Sequence, residues 1–102
     1  MQFQVVVQFS AADIESFDAL VEIEEKLVQA LEPEHIVDGH DFGSGEGNIF
    51  IHTNDPPEVM KTVRKCFGRK RMAKTKVAFR SFDSEDYSWL HPINEESKLH
   101  VL

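Results

Sequence analysis

Hydrophobic and polar residues alternate along two separate stretches of this chain. Between residues 3 and 9, phenylalanine and valine at odd positions alternate mainly with glutamine, which is the two-residue period of a strand with one buried face. Thr75 to Phe82 alternates in the same way. The runs His35 to Asp41 and Asn48 to Thr53 flank a glycine-rich turn, which is typical of two strands joined as a hairpin. We therefore expect four strands.

Two longer segments have the period of a helix. Apolar residues recur at steps of three and four from Ile14 to Leu31, and Pro33 ends the pattern. A second helix is predicted to begin where Asp55 caps it and Pro56 takes the first helical position. Gly68 is predicted to end this helix, because glycine readily adopts the left-handed conformation that closes many helices.

The resulting order β-α-β-β-α-β predicts an α+β fold. In a chain of 102 residues it indicates a ferredoxin-like sandwich, in which two helices cover one face of a four-stranded antiparallel sheet with strand order 4-1-3-2. Residues 1–92 are assigned to this single domain. Residues 93–102 are assigned to a C-terminal tail, which is either disordered or an added edge strand.

The alternation also predicts which side chains lie on each face of the sheet. One set faces the helices: Val5, Ile49, Ile51 and Val77. The opposite set is left to solvent, to a partner or to the tail: Gln2, Gln4, Val6, Gln8, Asn48, Phe50, His52, Lys76, Ala78, Arg80 and Phe82, joined by Asp38, His40 and Phe42 from the second strand. Two uses of this face stay open. Either the apolar residues Tyr87, Trp89 and Leu90 fold back over its aromatic residues, or the face is a protein interface, and each can hold for a different half of it.

Charge is strongly divided along the chain. Residues 1–60 hold thirteen acids and one base, Lys26, whereas residues 61–80 hold nine bases and no acid. The net charge of −7 disfavours nonspecific binding to nucleic acid and favours a partner with a basic surface. The segment from Lys61 to Arg80 is either a local phosphate site or a solvated surface.

Cysteine content and hydropathy indicate a cytoplasmic protein. The single cysteine, Cys66, forms no intrachain disulfide, and it is expected to be buried on the second helix. The first residues lack the basic start and long apolar core of a signal peptide, and no apolar run approaches the roughly 20 residues that span a bilayer. No membrane partner and no cofactor are expected.

The hairpin contains most of the polar side chains that could bind a partner, bind a metal or take part in catalysis. Its candidate partner-binding residues are Asp38, His40, Asp41, Glu46, Asn48, Phe50 and His52. An acidic hairpin beside aromatic residues is typical of a protein interface. Two other interpretations stay open: a metal bound by Asp38, His40 and His52, or catalysis with His40 as general base and Ser44 as the one nearby nucleophile.

Several segments together resemble a family of small bacterial proteins of about this length. They are Val37-Asp38-Gly39-His40-Asp41, Gly43-Ser44-Gly45, Asn48-Ile49-Phe50-Ile51, Asp55-Pro56 and Trp89-Leu90-His91-Pro92, and the resemblance covers nearly the whole chain. It carries no catalytic assignment that transfers to a residue of this chain. Small acidic proteins of this kind look like immunity proteins, which neutralise a toxin by covering its active surface.

These features predict a non-enzymatic protein-binding module, an immunity-type inhibitor whose partner is a cognate bacterial toxin with a basic surface. The alternative is a small-molecule-binding or weakly catalytic ferredoxin-like domain that uses His40 as base and forms a homodimer through the open sheet face. Nucleic acid is not expected as a partner in either case.

Overall fold

The computed structural model of the protein describes residues 1–10, 17–43 and 45–92. It contains five strands and two helices in this part of the chain: β1 Phe3–Ser10, α1 Phe17–Leu31, β2 Ile36–Gly43, β3 Glu46–Thr53, α2 Pro56–Met72, β4 Thr75–Ser81 and β5 Ser88–His91. The predicted start of the first helix, at Ile14, and the predicted tail, residues 93–102, lie outside the described residues.

The fold is α+β, with one antiparallel sheet of five strands in the order β2-β3-β1-β4-β5. Four strands were expected, so the count was wrong by one. The added strand, β5, is formed by Ser88–His91, the segment that was expected only to fold back over the sheet. Backbone pairing to β4 places Trp89 opposite Ala78, and Leu90 packs against the core.

One hydrophobic core joins both helices to a single face of the sheet. β1 supplies its centre, because Val5 and Val7 pair with residues of β3 on one side and of β4 on the other. The helices add fully buried residues on their inner faces, and the members of the core named in the prediction all lie there: Val5, Ile49, Ile51 and Val77. Burial of these apolar side chains is the main favourable contribution to folding.

Helix α2 begins as the sequence predicts. The side chain of Asp55 accepts a hydrogen bond from the backbone N–H of Glu58 at 3.3 Å, and Pro56 occupies the first helical turn. This cap satisfies one of the backbone donors that a helix N-terminus leaves without an intrahelical partner.

Gly68 interrupts α2 with the positive φ on which its prediction as the helix end was based, but the helix continues beyond it. Gly68 is non-helical, with φ 74° and ψ 171°, yet the chain resumes a helical turn that reaches Met72. Met72 explains the continuation, because its side chain is 6% exposed and belongs to the core. The Nε2 of His91 also donates a hydrogen bond to the carbonyl oxygen of Met72 at 2.8 Å, which joins β5 to this turn.

The backbone conformation of the kink requires glycine at position 68, and this requirement can be tested. Its dihedrals fall in a region that is almost restricted to glycine, so Gly68→Ala is expected to lower the free energy of unfolding by about 1–3 kcal/mol, measured by urea denaturation. Gly43→Ala is the matched control, because Gly43 has no positive φ and a methyl group there meets no atom within 4 Å. Equal losses in the two variants would contradict a strained backbone at Gly68.

Candidate functional site

The β2–β3 hairpin contains a β-bulge at Asp38. Val37 pairs with Ile51 and Gly39 pairs with Phe50, so that Asp38 stands between two paired positions without a partner on β3. Gly39 has φ 152°, a value that L side chains rarely adopt. Successive side chains of a strand point to opposite faces of the sheet. The extra residue therefore places each later side chain of β2 on the face opposite to the one it would occupy without the bulge.

The bulge separates the two histidines of the hairpin. His40 pairs with Ile49 on the helix-covered face, and its Nδ1 donates a hydrogen bond to a carboxylate oxygen of Glu24 on α1 at 2.7 Å. His52 lies on the opposite face, with its ring centroid 4.9 Å from that of Phe82. The expectation that His40 would lie on the outer face was therefore wrong. The same expectation for Phe42 was wrong for the same reason, since Phe42 pairs with Gly47 on the helix side.

The metal interpretation has little geometric support. In the described ranges, no group of three histidine, cysteine, aspartate or glutamate side chains is arranged to hold a metal ion. The closest approach on the outer face is that of His52 Nε2 and Asp38 Oδ2, at 3.6 Å. This contact joins two side chains only, and His40 lies on the other side of the sheet.

One observation is compatible with the catalytic interpretation: His40 is paired with Glu24. A carboxylate bound to Nδ1 orients an imidazole and selects its tautomer, which is an arrangement that general bases use. The predicted nucleophile, Ser44, lies outside the described residues. In its observed contacts the pair joins helix α1 to strand β2.

The centre of the outer sheet face is buried. Val6 and Ala78 are fully buried there, and Asn48 is 3% exposed. The side-chain amide of Gln8 donates to Asn48 Oδ1 at 3.1 Å and to Glu46 Oε2 at 3.3 Å. We call Gln8, Glu46 and Asn48 the Gln8 network. Two of the predicted partner-binding residues thus hold neighbouring strands together.

Cations and aromatic rings occupy the other half of this face. Arg80 donates to the side-chain oxygen of Gln4 at 3.2 Å and lies 5.5 Å from the ring centroid of Phe82. The ammonium of Lys76 lies 5.9 Å from the ring centroid of Trp89. These contacts follow the usual preference of cations for the faces of aromatic rings. Beside them, Phe50 and His52 are half-buried.

Strand β2 forms an exposed acidic border of the sheet. In the described part of the chain it pairs with β3 alone. Ile36 is 45% exposed, and the side chain of Asp38 is 57% exposed. Asp41 is exposed as well, and residues 32–58 include seven acids and no lysine or arginine. We call Ile36, Asp38 and Asp41 the acidic edge.

A second surface, a cleft between α1 and α2, has a volume of about 780 Å³. Its apolar floor is formed by Phe9, Ile23 and Phe67, and its cations are Lys26, Lys70, Arg71 and Lys74. We call it the basic cleft. Cys66 lines it and is half-buried, so its predicted full burial was wrong. The sequence signal was present in the nine bases of residues 61–80, but the contribution of Lys26 required the packing of α1 against α2.

Comparison with known proteins finds no protein-family model, no curated protein and no solved structure that matches the chain. Within the ranges that the structure describes, neither helix combines the length and the apolar character needed to cross a membrane. The geometry offers two surfaces of opposite charge, the acidic edge and the basic cleft.

The Gln8 network predicts that an asparagine-to-aspartate substitution destabilises the protein at position 48 but not at an exposed position. Asn48→Asp places a carboxylate at a buried position beside Glu46, which binds the same Gln8 nitrogen. We expect a loss of about 2–3 kcal/mol in the free energy of unfolding, because a buried charge loses its hydration and meets a like charge. Asn54→Asp is the control, since Asn54 is exposed and its oxygen still accepts from the backbone N–H of Gln2. Similar urea midpoints for the two variants would contradict the network.

Proposed function

We propose that this protein is a non-enzymatic protein-binding module that docks on a basic partner through the acidic edge. The observation that carries the proposal is an edge strand that displays Asp38 and Asp41 in a region without a single lysine or arginine. Exposed carboxylates of one sign increase the rate of encounter with a positive surface, and a nearby apolar side chain such as Ile36 adds buried contact area.

The backbone of β2 supports the same mode of docking. An edge strand presents N–H and C=O groups that another chain can pair with, and partners often bind by adding a strand. Charged side chains on such an edge oppose unspecific pairing. In this proposal Asp38 and Asp41 therefore select the partner, and the backbone of β2 contributes hydrogen bonds.

The charges favour a different protein over a second copy of this chain. In a two-fold pairing of two β2 edges, the acidic residues of both copies approach one another, and like charges opposite each other on neighbouring strands are destabilising. A basic partner removes this repulsion. Among the predicted partner-binding residues, Glu46, Phe50 and His52 border the docking surface. His40 instead joins β2 to α1 through Glu24, and Asn48 joins β3 to β1 through Gln8.

The finer form of the proposal is an immunity-type inhibitor. Toxins that act on polyanions carry basic active surfaces, because cations attract the phosphate backbone. An acidic strand of this kind would cover such a surface without any chemistry of its own. The proposal places the protein in the cytoplasm, where the single thiol of Cys66 stays reduced.

We also propose that the architecture is ferredoxin-like with β5 as an addition. The chain order β-α-β-β-α-β and the position of β1 between β3 and β4 support this assignment. Strand β5 then extends the sheet on the side opposite the acidic edge. This separation leaves β2 as the border of the sheet that carries the proposed function.

Charge reversal tests the docking surface. Tagged wild-type protein, Asp38→Lys/Asp41→Lys and the control Asp83→Lys/Asp86→Lys are compared in capture from a lysate of the source cells. Asp83 and Asp86 are also exposed acids, on the segment between β4 and β5. We expect wild type and control to retain one stoichiometric basic protein that the β2 variant loses. The association rate should fall at least tenfold in the β2 variant at low salt, with a weaker dependence on ionic strength.

An activity assay of the captured protein distinguishes a binding module from an inhibitor. Stoichiometric wild-type protein is expected to abolish the activity of the partner, and the β2 variant is expected to leave that activity intact. If the Asp38→Lys/Asp41→Lys variant has a native circular dichroism spectrum and still retains the partner, the acidic edge is excluded as the docking surface. Binding through the edge without inhibition would leave a binding module and remove the inhibitor function.

A further inference from the structure

The basic cleft lies apart from the acidic edge, and the proposed protein docking makes no use of it. We propose that this cleft binds a small phosphorylated molecule that also carries an apolar or aromatic group. Its volume of about 780 Å³ is within the range of roughly 300–1,000 Å³ that is typical of small-molecule pockets. Phe9, Ile23 and Phe67 provide an apolar floor, which is the common environment of a ligand body in such pockets.

Charge at the cleft has one sign. Four cations line it, and no aspartate or glutamate is among its lining residues in the described part of the chain. Lys26 and Lys70 make no ion pair with any described residue. Arg71 lies with its guanidinium 5.9 Å from the ring centroid of Phe67. A phosphate group, which carries close to two negative charges at neutral pH, matches such a set better than a single carboxylate does.

Local hydrogen bonds fix the backbone of the turn that carries two of the cations, Lys70 and Arg71. After the kink at Gly68, the carbonyl oxygen of Arg71 accepts from the backbone N–H of Lys74 at 3.1 Å and from the hydroxyl of Thr75 at 2.7 Å. The turn that carries Lys70 and Arg71 is thus fixed between the core and the start of β4. A preorganised site of this kind loses less conformational entropy when it binds a ligand.

The surroundings of the cleft favour a small anion over a long polyanion. A smaller hollow that shares Phe9 and Lys74 with the cleft is bordered by Glu46 as well as by Lys76. A nucleic acid strand that extended through this hollow would meet the Glu46 carboxylate, and the net charge of −7 would oppose the approach of a long polyanion. A phosphorylated small molecule fits within the positive region.

Titration of the full-length protein with three probes tests the inference. The probes are phenyl phosphate, inorganic phosphate and phenol, and amide chemical shifts in nitrogen-labelled protein report where each one binds. Phenyl phosphate is expected to shift the amides near Ile23 to Lys26 and near Cys66 to Thr75, with saturation in the millimolar range or below. Inorganic phosphate should bind at the same place at least tenfold more weakly, and phenol alone should shift few of these amides.

A matched pair of variants separates the cleft from general electrostatics. Lys26→Gln/Lys70→Gln removes two cations of the cleft, and Lys61→Gln/Lys65→Gln removes two exposed cations of α2 that do not line it. The first pair is expected to weaken phenyl phosphate at least tenfold, and the second to change its affinity less than twofold. Equal losses would overturn the inference, as would the absence of saturable shifts at the cleft. Tighter binding of a ten-residue oligothymidylate than of phenyl phosphate would assign the cations to a nucleic acid instead.

Discussion

The β-bulge at Asp38 sets the side-chain directions of the β2–β3 hairpin, and the chemistry of the hairpin depends on it. Side chains alternate between faces along a strand, so one unpaired residue moves each later one to the other face. His40 therefore meets Glu24 on α1, whereas His52, on the strand without a bulge, meets Phe82. The bulge converts a potential pair of imidazoles into two separate structural contacts.

The bulge also defines the surface that remains for a partner. The centre of the outer face is filled by the Gln8 network and by Val6 and Ala78, which leaves little accessible polar chemistry there. At the border of the sheet, Asp38 and Asp41 stay exposed, although the imidazole of His52 lies 3.6 Å from the Asp38 carboxylate. Exposed carboxylates at an edge contribute little to stability and much to the rate and selectivity of association.

The division of charge along the chain becomes a division in space. Seven of the thirteen acids in residues 1–60 belong to α1 and the hairpin, and eight of the nine bases of residues 61–80 belong to α2 and β4. Lys26 is the exception, because α1 brings this one base of the first 60 residues to the cations of α2. A small domain thereby presents an acidic edge and a basic cleft that share no residue.

Local patterns predicted much of the architecture. The alternation of residues 3–9 and 75–82 identified strands, and the cap at Asp55 was correct, because each of these features depends on neighbours a few residues away. Gly68 was predicted to end α2 because glycine has a local preference for termination, whereas the burial of Met72 in the core accompanies a further helical turn beyond it. Strand β5 was missed because four residues are too few for a clear period, and pairing with β4 stabilises them.

By itself, the sequence determined the α+β class, the helix-facing residues and the separation of acids from bases, since periodicity and charge are properties of the chain. Only the tertiary structure decided the faces of His40 and His52, the accessibility of Asn48 and the meeting of Lys26 with Lys70. The physical reason is that a bulge, a buried hydrogen bond and a cleft are made by residues distant in sequence. Their geometry follows from strand register and helix packing, which no local pattern specifies.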